Sequence, residues 1–496
     1  MRTSPACCAL ALLTACASGS REDTGLSASE SVTITSATDS SGATSEPTTT
    51  AAATEAGSTD APAPTTTADP TDPTSATTGD DTTGDLLGDL ELEQTFDQGI
   101  ANGWVRVERW RDPNPFFIQE DRFDLDSRAH QTGQRLEFFG DDPVPHSGKF
   151  LLYYAPGWDT GAESAVLLAH GANDQADRAW ANPGESGDFG CGQSDCPDTG
   201  LMQDLAAAGH RVFAVSHAHS QGDNHFWALQ IGAAIDIIRE RTGVSKVDVV
   251  GWSKGVMSAR MYASSLTGEG QQGYKDDIRR LVLIGGPNLG FDYIFRYGTA
   301  HNAGIYADFM GKIHAPGPHD ELLVFGVWQP RPEYAIYKSA AGDNYRGQLQ
   351  MLAAWDDVYP LTATFHNGFA SFPVGDSEST YYGEGQYKGI YARGKGIDYA
   401  IQQGSVIEAM VAAGIPASIE TYLLCGDLDL ADTAVLIPGI PNEIAGPSDG
   451  VVFVDSCAAE DGIGTLADTA VLKDINHLKL GWHPTASAKI AAWLAQ

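Results

Sequence analysis

The chain has 496 residues, with 65 Asp and Glu against 30 Lys and Arg, a formal net charge of −35 at pH 7. So negative a surface repels a phosphate backbone, which excludes nucleic acid as a partner. About 400 residues follow Phe96, more than one hydrophobic core normally organises, yet no second tether or internal repeat divides them; one domain enlarged by an insertion is expected.

Arg2 precedes the apolar run Ala9–Leu13, and Leu13-Thr14-Ala15-Cys16 follows. The run is too short to span a bilayer as a helix. The tetrapeptide resembles a bacterial lipobox, in which the cysteine is lipidated and becomes the mature N-terminus. This implies a signal peptide over residues 1–15, a lipid on Cys16 and export; an ordinary secretory signal cut nearby is the alternative. Ala17 stands where such proteins usually carry the aspartate that retains them at the inner membrane. An outer-membrane or cell-surface address, held by the N-terminal lipid anchor, is therefore expected. Residues 16–94 read as a disordered tether rich in Ser, Thr, Asp and Pro. From Ala17 to Gln94 there are fifteen acidic residues and one basic, and no aromatic ring precedes Phe96. Such a stretch cannot bury enough apolar surface to offset its ordering entropy.

The folded domain is expected over 95–496. Lys149–Tyr154 and Ala165–Ala169 read as strands, the second ending at His170-Gly171. Leu201–Ala208 reads as a helix closed by Gly209, followed by strand Arg211–Ser216. Phe226–Arg241 is a longer amphipathic helix ended by Gly243. Strand Lys246–Val250, a helix, strand Leu281–Ile284, a late strand Ile419–Leu424 and a terminal helix Thr485–Leu494 complete the series. Strands alternating with helices imply right-handed crossovers and a mostly parallel sheet covered on both faces. The alternation breaks down over 288–415, a segment rich in Tyr, Phe and Trp. Its place between two core strands suits a cap or lid over an active site, with extra core decoration as the alternative.

Between the strand at 246–250 and its helix lies Gly251-Trp252-Ser253-Lys254-Gly255. A strand, a G-x-S-x-G turn and a helix start resemble the nucleophile elbow of the α/β-hydrolases. The motif alone does not discriminate, because Gly446-Pro447-Ser448-Asp449-Gly450 also matches. That copy precedes a strand-like Val451–Val454, the wrong order of elements, so Ser448 reads as a turn residue and Ser253 as the nucleophile. A serine hydroxyl needs a neighbouring base. Two histidines follow the late strand: His477 is preferred, with His483 as the alternative. The acid that would orient the base is Asp449, or Asp427 or Asp429 just past that strand. The oxyanion hole is expected from the backbone N–H groups of Lys254 and Ala172. The Lys254 side chain reads as a surface cation, with contact to an acidic or polar end of a substrate as the alternative.

Cys191, Cys196, Cys425 and Cys457 remain beyond the signal and Cys16. An even number in an oxidising compartment suggests disulfides, and proximity favours Cys191–Cys196 and Cys425–Cys457. No histidine stands at a ligand spacing from either pair, which argues against a metal.

The blocks AVLLAHG, VDVVGWSKG, LVLIGGPNLG, SDGVV and NHL resemble the bacterial true lipases, the triacylglycerol lipase branch of the α/β-hydrolases. The resemblance implies an α/β-hydrolase fold and a serine esterase acting on lipid-like acyl esters without a cofactor. It also implies Asp449 as the acid, on a loop pinned by the Cys457 disulfide, and His477 as the base. Two positions depart from the pattern. Trp252 replaces the usual histidine before the nucleophile, which is expected to change the pocket wall. Lys479 replaces an aspartate that helps hold calcium, so no calcium is expected there. The rivals are a short-chain carboxylesterase, a polyester depolymerase, an acyltransferase, or a non-enzymatic surface lipoprotein that keeps the shape as a binding module.

Overall fold

In the computed structural model, residues 86–120, 131–160, 164–185, 191–193, 195–292, 321–324, 327–330, 346–360, 381–387, 390–428 and 446–496 are described. Cys16, Asp429, most of the expected tether and much of 288–415 lie outside them.

The strands β1 (Glu91–Phe96), β2 (Arg106–Arg111), β3 (Lys149–Tyr154), β4 (Ala165–Ala169), β5 (Arg211–His217), β6 (Val247–Trp252) and β7 (Ile278–Ile284) come first. With the later β12 (Glu420–Asp427) and β13 (Leu466–Lys473) they make one nine-stranded sheet, in the order β1-β2-β3-β5-β4-β6-β7-β12-β13. The pairings β1–β2, β2–β3 and β3–β5 are antiparallel; every pairing from β5 through β13 is parallel. The parallel strands are apolar on both faces, and successive side chains serve opposite cores. Leu167, Phe213, Val249 and Leu283 point to one layer. There they meet helices α2 (Asn224–Thr242) and α3 (Lys254–Ala263). Leu168, Ala214, Val250 and Ile284 point to the other. That layer is formed by α1 (Leu201–Ala207) and α6 (Pro484–Leu494). A mostly parallel sheet with helices on both faces and a strand–serine–helix turn at the end of its central strand is an α/β-hydrolase fold.

Three expectations need correction. The tether boundary at residue 94 falls inside β1. That strand buries almost nothing. It is held by its ladder and by Arg109–Glu93 and Arg111–Glu91 ion pairs at 2.8 and 3.6 Å, so no apolar run announces it. The other edge strand, β13, is likewise exposed and was not expected. Third, the stretch Val451–Val454 is not a strand: Val454 starts a short helix, Val454–Cys457, and Ser448 bridges Phe453 across the turn.

The segment 288–415 carries a separate four-stranded sheet, β10-β11-β8-β9. Its strands are β8 (Glu321–Val324), β9 (Val327–Pro330), β10 (Gly383–Tyr387) and β11 (Ile390–Lys395). Other parts of the segment extend the core instead. Leu349, Leu352, Ile397 and Met410 are buried in the same cluster as α2 and α3, the last two from α4 (Ile397–Gly404) and α5 (Ile407–Ala413). Trp355 and Tyr359 pack on Phe453, with ring centroids 5.6 and 4.4 Å apart. These two rings pack against the core. Among the described residues, no helix is long and apolar enough to cross a membrane.

Arg260 on α3 ties the elbow helix to its surroundings. It is buried and donates to Asn288 O and Oδ1, both at 3.0 Å, and to Asp461 O at 2.9 Å. Replacing Arg260 by Ala strands the two Asn288 acceptors in a dry interior and removes the bond to Asp461 O. A loss of about 3 kcal/mol is expected, read as a lower midpoint in urea denaturation.

Candidate active site

The elbow forms because β6 is buried on both faces and must turn sharply where the sheet ends. Ser253 takes φ 55° and ψ −122°, a left-handed backbone rarely tolerated by a side chain. Its N–H donates to Ile284 O at 2.9 Å, and its carbonyl accepts from Val256 N at 2.9 Å. Glycine is required on either side. A Cβ on Gly251 would sit 2.7 Å from Gly255 O, and one on Gly255 would strike the carbonyl oxygens of Ala169 and His170.

His477 and Asp449 arrive from loops after β13 and β12. His477 Nε2 lies 2.8 Å from Ser253 Oγ, and Nδ1 lies 2.6 Å from Asp449 Oδ2. Asp449 Oδ1 accepts from Val451 N and Val452 N at 2.9 and 2.8 Å, so its carboxylate is held on both oxygens. The His477 backbone N–H also donates to Asp449 O at 2.8 Å. Because the acid takes Nδ1–H, Nε2 is the free base facing the serine hydroxyl. The aspartate is 1% exposed and the imidazole 5%. The arrangement is able to remove the Ser253 proton and steady the imidazolium that forms.

The other expected residues fall as follows. Asp427 pairs with Lys473 and stands apart from this constellation. His483 caps α6, its Nδ1 accepting from Thr485 N at 3.3 Å; burial and the nearby Lys479 lower its pKa. Ser448 is a buried turn residue. Cys191–Cys196 and Cys425–Cys457 are bonded, each with Cα atoms 5.8 Å apart. The second bond fastens the Asp449 turn to β12. Gly171 runs against the nucleophile: a Cβ there would lie 3.0 Å from Ser253 Cβ. Ala172 is the next residue along the chain. Among the described residues, no group of three or more His, Cys, Asp or Glu is placed to hold a metal ion.

Two readings of the elbow itself are overturned. Trp252 is no pocket wall: it is 2% exposed, and its Nε1 donates to His477 O at 3.2 Å. The Arg178 guanidinium lies 5.3 Å from the indole, with Arg178 Nε 2.7 Å from Asp174 Oδ1. The i,i+4 spacing of Asp174 and Arg178 was the one sequence signal for this support. Lys254 is no surface cation. It is fully buried, with Nζ 2.9 Å from the centroid of the Trp227 ring. Burial holds its amine well below the usual lysine range, against the pull of Glu120 and Asp223. Close by, burial lowers His170 to about 4 and His217 well below the imidazole range. These side chains were missed because only the fold brings them together.

No protein-family model matches the chain, and no curated protein sequence matches it. Solved structures similar to it include a Bacillus licheniformis lipase in mature form, at 12% identity and TM-score 0.35 over 67% of this chain and 92% of that one. A thermostable carboxyl esterase from Bacillus coagulans in complex with glycerol has 12% identity and TM-score 0.33, covering 70% and 95%. Est1E from Butyrivibrio proteoclasticus has 12% identity and TM-score 0.33, covering 70% and 91%. Likenesses this distant carry no weight for chemistry; the chain's own sheet and elbow define the fold.

Trp252→Phe removes the bond to His477 O while keeping an aromatic filler. The rate at which a fluorophosphonate labels Ser253 is expected to fall about fivefold, the worth of one hydrogen bond.

Proposed function

We propose that this chain is a serine carboxylic ester hydrolase acting on lipid-like acyl esters. One observation carries the reading: a continuous Ser253–His477–Asp449 hydrogen-bond chain on a strained elbow at the sheet's carboxyl edge. His477 takes the Ser253 proton as Oγ attacks the ester carbonyl. The N–H groups of Lys254 and Ala172 stabilise the oxyanion. Collapse expels the alcohol, protonated by His477, and leaves an acyl-enzyme; water, deprotonated by the same imidazole, releases the acid. A short-chain esterase would use the same machinery, and hydrolysis of a panel of esters of rising acyl length separates the two.

A fluorophosphonate is expected to label Ser253, located by peptide mass. Labelling and ester hydrolysis should vanish in Ser253→Ala, and labelling should fall at least about a thousandfold in His477→Ala. Folded wild-type protein that neither labels nor turns over any ester would leave a binding module as the better reading.

We further propose that Cys16 is lipidated and that the protein is exported to the outer membrane or cell surface. The support is the Leu13-Thr14-Ala15-Cys16 block and the acidic, aromatic-free stretch that follows. An alkynyl fatty acid fed to expressing bacteria is expected to mark the wild-type chain and not Cys16→Ser; equal marking of both would end this proposal.

A further inference from the structure

The turn that carries His477 is gripped by a segment far earlier in the chain. Asn476 Nδ2 donates to Gly192 O at 3.1 Å, across 284 residues, and Trp482 Nε1 donates to Cys191 O at 3.1 Å, across 291. Asn476 Oδ1 meanwhile accepts from Lys479 N at 2.9 Å, where a turn of 3-10 helix, Lys479–Gly481, begins. Both ends of one amide are therefore committed, one within the base-carrying turn and one to the distant loop. Gly192, at φ +83°, makes the approach possible. A Cβ there would lie 2.8 Å from Asn476 Oδ1 and 3.1 Å from Leu478 Cβ, so the loop backbone runs against both neighbours of His477. Cys191, Asn476 and Leu478 are buried.

Among the described residues, no helix or strand lies between Cys191 and Gly200, so no backbone ladder sets the Cys191 and Gly192 carbonyls. The Cys191–Cys196 bond ties them to Cys196 instead. That end rests on a different support. A Cβ on Gly184 would lie 3.3 Å from Cys196 Cβ, and Gly184 N donates to Pro197 O at 3.1 Å. Gly184 follows the π-helical turn Asp177–Ala181, whose Arg178 guanidinium and Trp180 ring lie 5.3 and 5.9 Å from the Trp252 ring. Trp252 in turn donates to His477 O. The disulfide thus joins two segments that each bear on His477, one through Asn476 and Leu478, the other through Trp252. A staple that only closed a surface excursion would have no need of a buried Cys191 or of side-chain donors from the base-carrying turn.

Resting on the ester-hydrolase reading, we propose that the disulfide-closed loop Cys191–Cys196 is a positioning element for the base, with Asn476 and Trp482 as its grips. None of these residues touches the reacting atoms. They act through His477, keeping Nε2 within reach of Ser253 Oγ. The imidazole must take a proton from the serine and return it to the leaving alcohol, and a misplacement of about 1 Å costs up to about a hundredfold in rate. His477 stands on a loop, so its placement rests on contacts such as these.

The test uses the full chain. The rate constant and the amplitude of fluorophosphonate labelling at Ser253 are measured, with kcat and KM for p-nitrophenyl butyrate. Wild type is compared with Asn476→Asp, Trp482→Phe and the pair Cys191→Ala with Cys196→Ala. Asn476→Asp keeps the oxygen that accepts from Lys479 N and loses the grip on Gly192 O. The labelling rate constant and kcat are expected to fall about fivefold in each single variant, with KM within about twofold of wild type. Lost stability alone lowers the amplitude and leaves the rate constant of the folded fraction unchanged. In the chain without the disulfide, Asn476→Asp is expected to add less than about twofold, because its grip has already lost its anchor. Rate constants unchanged in folded variants, or effects of the two changes that multiply in full, overturn the positioning role and leave the hydrolase standing. The single variants keep the disulfide, so a cysteine pair that fails to fold does not decide the matter. Folded wild type that neither labels nor turns over any ester overturns the hydrolase reading, and the positioning role with it.

Discussion

The left-handed backbone at Ser253 is the constraint on which the site depends. A side chain in that conformation costs about 1–3 kcal/mol and persists only where the surroundings over-determine it. Here they do. β6 is buried between β4 and β7, the Ser253 N–H is tied to Ile284 on β7, and α3 starts at the next residue. The carbonyls of Ala169 and His170 press against Gly255, so the turn cannot relax toward β4. The hydroxyl is consequently carried to the carboxyl edge, where His477 meets it.

The other half of the constellation is built on loops and is held differently. Asp449 lies in a turn closed by Ser448 and Phe453, fastened by the Cys425–Cys457 bond, with its carboxylate caught by two backbone N–H groups. His477 is fixed at its backbone N–H, its carbonyl and both ring nitrogens. Gly285, at φ +54°, passes close by: a Cβ there would lie 3.2 Å from Asp449 Oδ2 and 3.3 Å from His477 Cε1. Trp252 links the two halves. The residue before the nucleophile thereby positions the loop carrying the base, and the Asp174–Arg178 pair sets Trp252 in place with little net charge.

The two flanks of Ser253 differ in kind. On the His477 side, the polar groups of the constellation are spent on one another. On the Lys254 side, donors and acceptors are buried without being matched, and burial keeps Lys254, His170 and His217 toward their neutral forms.

How much of this was legible in the chain follows from the range of each interaction. The strands β3 through β7 and the elbow read directly, because a strand buried on both faces must be an apolar run and a tight turn must have glycine. Edge strands β1 and β13 did not read, since partners across a ladder and surface ion pairs hold them, and neither leaves a period in the sequence. Ser253 and His477 were named from order and local context and Asp449 from the family resemblance, but Asp427 stayed open until the turn at 446–457 put Asp449 against the imidazole. The aromatic-rich stretch 288–415 could serve as cap or core from its composition; packing on α2 and α3 spends Leu349, Leu352, Ile397 and Met410 on the core. Trp252 and Lys254 were misread outright, as pocket wall and surface cation. The sequence by itself determined which residues are candidates for the chemistry, because bond-making groups and backbone turns are local properties. Only the tertiary structure decided which of them meet and which polar groups lose water, because burial depends on segments far apart in the chain: Trp252 and His477 are 225 residues apart.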